Sequence, residues 1–135
     1  MRRPEWEQHL AALVDQWRHQ PFVWGRHDCG QFALAVLRAV SARDWAQISI
    51  QSYASARGAQ ALLRYMNVPD MQALAEKMLG SSLPSAYARR GDLAACSSQH
   101  GPALGVCLGG HVAHPGLHGL VFQPFTQALC CWRIE

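Results

Sequence analysis

Trp24-Gly25-Arg26-His27-Asp28-Cys29-Gly30-Gln31-Phe32 carries the chain from a turn into a helix. Asp28 stands where an N-cap belongs, because its carboxylate can accept from the unpaired N–H groups of a first turn. The residues beyond it, Phe32, Ala33, Leu34, Val36, Leu37 and Val40, are apolar nearly all round. A helix apolar on every side is a buried one. The stretch therefore predicts a central helix with a thiol, Cys29, in its first turn.

Upstream, Trp6, Leu10, Leu13, Val14 and Trp17 recur at helical spacing between Pro4 and His19, with charged residues between them. This is an amphipathic first helix, ended by Gln20-Pro21. Downstream, Tyr53 to Leu79 is rich in Ala, Leu, Met and Gln and reads as two short helices broken near Asn67-Val68-Pro69. After Gly80 the texture changes. Leu93 to Cys96, Ala103 to Leu108, His111 to His114, Leu120 to Gln123 and Cys130 to Ile134 are short runs separated by Gly or Pro, which predict an antiparallel sheet of about five strands. Helices first and strands second make an α+β fold. No repeat or linker divides residues 1–135, so a single domain is expected.

Composition narrows the functions. Half of the 135 residues are apolar, enough for a core without metal or disulfide staples. The net charge of +3 comes from Arg scattered along the chain, so no concentrated basic face for nucleic acid is expected. Met1-Arg2-Arg3-Pro4-Glu5-Trp6 lacks the apolar stretch of a signal peptide, and no segment is long and apolar enough for a membrane span. The expectation is a protein made in a cytoplasm and kept there or carried in a larger particle. Five Cys, an odd number without CxxC spacing, argue against disulfides and against a metal centre, and no phosphate loop calls for a cofactor. Cys96, Cys107, Cys130 and Cys131 read as small buried hydrophobes. Of the adjacent pair Cys130-Cys131, at most one should face the core.

The thiol at the helix start is the feature with chemical meaning. Unpaired N–H groups and the helix dipole favour an anion there and can bring a Cys pKa from about 8.5 down to neutral. The alternative is that Cys29 simply packs. A cysteine hydrolase also needs a His to accept and return the proton, and donors for an oxyanion.

Four blocks carry a resemblance: Phe22-Val23-Trp24-Gly25, Asp28-Cys29-Gly30-Gln31-Phe32, Arg90-Gly91-Asp92-Leu93, and Leu104-Gly105-Val106-Cys107-Leu108-Gly109. In this order and spacing the chain, from about Phe22 onward, resembles the NlpC-type papain-like cell-wall peptidases, and is similar in particular to small proteins encoded among phage tail genes. The resemblance implies a papain-like fold, with Cys29 at the nucleophile's position and the Gly-Asp block opening the first strand. It also exposes a gap. In active enzymes of this type the base His directly precedes the block matching Leu104 to Gly109, and here that residue is Ala103. Ala can neither take nor give a proton. His114 falls near the third, orienting position. As substitute bases the order is His114, then His100 in the loop before the same strand, then His27, whose place two residues from Cys29 points it elsewhere.

Asp28 and Asp92 match family blocks, yet each has a structural reading as a helix cap and a turn closure. Trp24, with Phe22, His27 and Asp28, is positioned to line a groove beside Cys29, and five Trp favour a partner surface. His111 and His118 should sit in turns. Two functions follow from the resemblance. One is a virion component of the phage tail tip, docked to other tail-tip or hub proteins, with a decayed active site. The other is a hydrolase that cuts peptide bonds in peptidoglycan through a thioester at Cys29. Both imply synthesis in the bacterial host cytoplasm and residence in the virion tail.

Overall fold

The computed structural model describes residues 1–48 and 53–135. Among these residues four helices precede five strands. Helix α1 spans Trp6–Trp17, α2 Cys29–Val40, α3 Ala56–Tyr65 and α4 Met71–Leu79; the strands are β1 Leu93–Ser98, β2 Gly101–Cys107, β3 His111–Gly116, β4 Gly119–Pro124 and β5 Ala128–Trp132. Short 3-10 turns occupy Ser85–Tyr87 and Phe125–Gln127. The α+β reading holds, as do the break between α3 and α4 and the five antiparallel strands. At that break Asn67 takes a positive φ of 63°, a conformation Asn tolerates better than most residues.

The sheet order is β4-β3-β2-β1-β5. Hairpins join β1 through β4, and β5 then returns to pair antiparallel with β1, Leu93 opposite Trp132 and Ala95 opposite Cys130. Side chains alternate across a strand, so Leu93, Ala95, Leu104, Val106, Ala113, Cys130 and Trp132 turn to one face. There they meet Phe32, Val36 and Val40 of α2 and Leu10, Val14 and Trp17 of α1 in the main core. Trp17 packs edge-on to Phe32 at 5.1 Å between ring centroids. Helix α2 is apolar on so many sides because α1 and the sheet both cover it, which removes polar positions from all but a narrow strip.

The opposite face of the sheet carries a smaller core: Ala94, Cys96, Val112, Ala128 and Cys131, with Ala88 and Phe125 packed on them. This corrects the expectation for Cys130-Cys131. The pair does point to opposite faces, but both are buried, because Phe125 and the segment around the first 3-10 turn cover the back of β1 and β5. His111 is the first residue of β3 rather than part of a turn; His118 does lie in the β3–β4 turn. No helix among the described residues is long and apolar enough to cross a membrane.

Candidate functional site

The start of α2 is tied down by Asp28, which is 2% exposed. Its Oδ1 accepts from the Gln31 N–H (2.9 Å) and its Oδ2 from the Gly25 N–H (2.8 Å). The Tyr53 hydroxyl also donates to Oδ2. One carboxylate thus caps the helix, closes the turn before it and holds Tyr53, which precedes α3. Gly25 sits at a φ of 81°, and a Cβ there would lie 2.2 Å from the Tyr53 carbonyl oxygen; only glycine allows that approach. Asp28 beside it, together with burial, pushes the Tyr53 hydroxyl pKa well up, burial being the larger cause. Tyr53 is the residue of this cluster that sequence reasoning missed. It lies 25 positions from Asp28, at the start of a stretch read as helical, and nothing in that reading pairs it with a carboxylate.

Cys29 is partly buried at the junction of α2 and the sheet. Burial pushes its thiol up from 9.0 to about 11, and the Asp28 carboxylate pushes the same way. Backbone hydrogen bonds from Leu104, and from Cys29 and Gly30 themselves, favour the thiolate but do not offset the burial. The lowering expected from the helix start is therefore present as a local effect and outweighed: taking a thiolate out of water costs more than a few N–H groups return. At neutral pH Cys29 is a thiol.

The histidines are dispersed. His114 is buried, 5% exposed, and both its ring nitrogens are occupied: Nδ1–H donates to the Pro115 carbonyl (3.1 Å) and Nε2 accepts from the Gln123 amide (2.7 Å). It alternates along β3 with Ala113, which faces the main core, so its ring leaves the opposite side of the pleat. Burial lowers its pKa below 6.5. His100 is exposed in the β1–β2 turn, with its ring 5.8 Å from Trp24. Trp24 in turn meets Phe22 edge-on at 4.8 Å. His27 packs edge-on against Trp17 at 5.0 Å. Of the residues singled out from sequence, Asp28 and Cys29 adjoin one another, and Trp24 and His100 form an aromatic rim with Phe22. His114 and His27 are engaged elsewhere. Ala103 is buried in β2, opposite Cys96.

Asp92 belongs to a separate cluster at the chain ends. It is fully buried and holds Arg2 (2.9 Å), Arg133 (3.1 Å) and the Ile134 N–H, while the Arg89 N–H closes the turn onto it. Among the described residues no group of three His, Cys, Asp or Glu could hold a metal ion.

Compared with known proteins, the sequence matches over residues 1–134 a family model described as a domain of unknown function, DUF6950. No curated protein matches it.

Proposed function

The chain belongs to the DUF6950 family, and we propose that it is an NlpC-type papain-like domain whose hydrolytic site has decayed and which serves as a structural or assembly component of a phage tail tip. The observation that carries this reading is the state of Cys29: a thiol held neutral by burial, with its pKa at about 11. Ala103 supports it, standing where the resemblance puts the proton-transferring His, as does His114, whose two nitrogens already have partners. A fold does not bring its chemistry with it. The tail-tip setting, with neighbouring tail-tip or hub proteins as partners, rests on the four sequence blocks.

One observation favours the second reading, an active peptidoglycan hydrolase. Backbone N–H groups of Leu104, Cys29 and Gly30 converge on the sulfur, the kind of donor set that also stabilises an oxyanion. The two readings separate on the rate of Cys29 alkylation against pH, followed by mass spectrometry with Cys29→Ala as blank. The decayed site predicts negligible labelling of folded protein at pH 7 and a rise only towards pH 11. Fast labelling with a midpoint below pH 7, together with release of peptides from purified peptidoglycan, would establish the hydrolase instead.

A further inference from the structure

The junction at Asp92 leaves positive charge unbalanced beside a cleft. About 360 Å³ of open space lies between Arg2, Trp6, Arg89, Arg133, Met1 and Glu135. The buried Asp92 is fully engaged: its Oδ1 accepts from Arg2 Nη2 and the Ile134 N–H, and its Oδ2 from Arg133 Nε and the Arg89 N–H. One carboxylate therefore answers two guanidinium groups, whose side chains are 16% and 27% exposed. Charges that far out of water are screened weakly, so the second positive charge is felt in the cleft. The exposed Glu135 carboxylate is turned instead to the Met1 amino group, 3.4 Å away.

Two of the three guanidinium groups are also fixed in place. Arg2 donates from Nε to the Ile134 carbonyl (2.9 Å) and from Nη1 to the Arg90 carbonyl (2.6 Å), and it lies over the Trp6 ring at 4.2 Å. Gly91 allows that packing, since a Cβ there would come within 2.7 Å of Arg2 Nη1 and 2.9 Å of Trp6. Arg133 donates from Nη2 to the Tyr87 carbonyl (2.8 Å). Its Nη1 has no partner among the described residues, and neither has the exposed Arg89 side chain. Donors already ordered by the fold cost little to use in binding. We propose that the cleft binds a phosphate dianion, free or carried on a small ester, with Arg133 Nη1 and Arg89 donating to its oxygens. Unspent donors on two separate segments and an unbalanced charge suit a group with nearly two negative charges and several acceptor oxygens. A carboxylate, with a single charge and a single fork, uses them less fully. The Trp6 ring gives the organic part of an ester an apolar wall. The site holds its ligand whether or not Cys29 is reactive.

The test titrates the full chain by NMR, in low-salt buffer free of phosphate, with phenyl phosphate, inorganic phosphate and benzoate. At least one phosphate should saturate the wild type, and the tighter of the two identifies the source as ester or free ion; benzoate should bind more weakly than that phosphate. Arg89→Gln leaves the backbone N–H to Asp92 in place and should raise the phosphate Kd by about 10-fold, the equivalent of one charge-assisted hydrogen bond. Arg64→Gln removes an exposed charge from α3 and should leave that Kd unchanged. A measurement without variants fixes the location: the Trp6 indole N–H and Arg133 Nε–H resonances of the wild type should move on titration. The proposal is overturned if neither phosphate saturates the wild type or if benzoate binds as tightly as the better phosphate. It is equally overturned if Arg89→Gln leaves the Kd unchanged, if Arg64→Gln weakens binding as much as Arg89→Gln, or if the Trp6 and Arg133 resonances stay fixed.

Discussion

Cys29 keeps its proton because desolvation outweighs the donors aimed at it, and this couples its chemistry to stability. The unfolded chain loses the thiol proton near 9.0 and the native protein only near 11. Between those values the unfolded state binds fewer protons, so stability falls as pH rises through the window. The buried Cys96, Cys107, Cys130 and Cys131 are shifted upward as well and act in the same direction. The urea midpoint is therefore expected to drop between pH 8 and pH 10, and Cys29→Ala should make that drop shallower. His114 has the opposite sign. Its pKa is lowered from 6.5 by burial, so the unfolded state takes up the proton first and stability falls as pH drops below 6.5. Replacement by Gln should flatten this acid limb, read as urea midpoints at pH 7 and pH 5. At this scale the sequence shows residue types and neighbours in the chain; it contains nothing that says the ring nitrogens of His114 are spent on Pro115 and Gln123.

The start of α2 concentrates the interactions that set one element against another. Asp28 was recognisable as an N-cap from its place before an apolar run, and it does accept from Gln31 N–H. Its other partners, Gly25 N–H and the Tyr53 hydroxyl, were not legible, because Tyr53, 25 positions away, reaches the turn at Gly25 only once α2 is in place. Asp28→Ala removes the cap and strands two partly buried donors, and should cost about 2–3 kcal/mol of unfolding free energy by urea titration. Tyr53→Phe removes a single bond to the carboxylate and should cost about 1–2 kcal/mol. Equal losses for the two variants would mean that the tie to Tyr53, rather than the cap, carries the stability of this end of the helix.

For the whole molecule, Asp92 does what no local pattern announces: it gathers Arg2 from the start of the chain, Arg133 and Ile134 from its end, and Arg89 before β1. As a turn closure it was readable in Arg90-Gly91-Asp92; as the junction of both ends it was not, since Arg2 is 90 residues away. Removing one partner of a buried charge cluster leaves the others uncompensated. Asp92→Ala is accordingly expected to cost about 3–5 kcal/mol, with the thermal midpoint falling by more than for any single surface substitution of Arg. A loss below about 1 kcal/mol would show that water reaches the two guanidinium groups and that the junction is not a stabilising one.

The sequence by itself determined the described elements and their order: four helices, five antiparallel strands, the α+β arrangement and the burial of α2. These follow from periodicity, caps and breakers, all of which act over a few residues. Tertiary structure alone decided that the back of the sheet carries a second small core, so that Cys130 and Cys131 are both buried. It also decided that burial pushes the Cys29 thiol up rather than down, and that the buried Trp45 indole N–H is left without a hydrogen-bond partner among the described residues. Each of these depends on how much water remains around a group after distant segments close on it. That is a property of the assembled chain, which no run of neighbouring residues encodes.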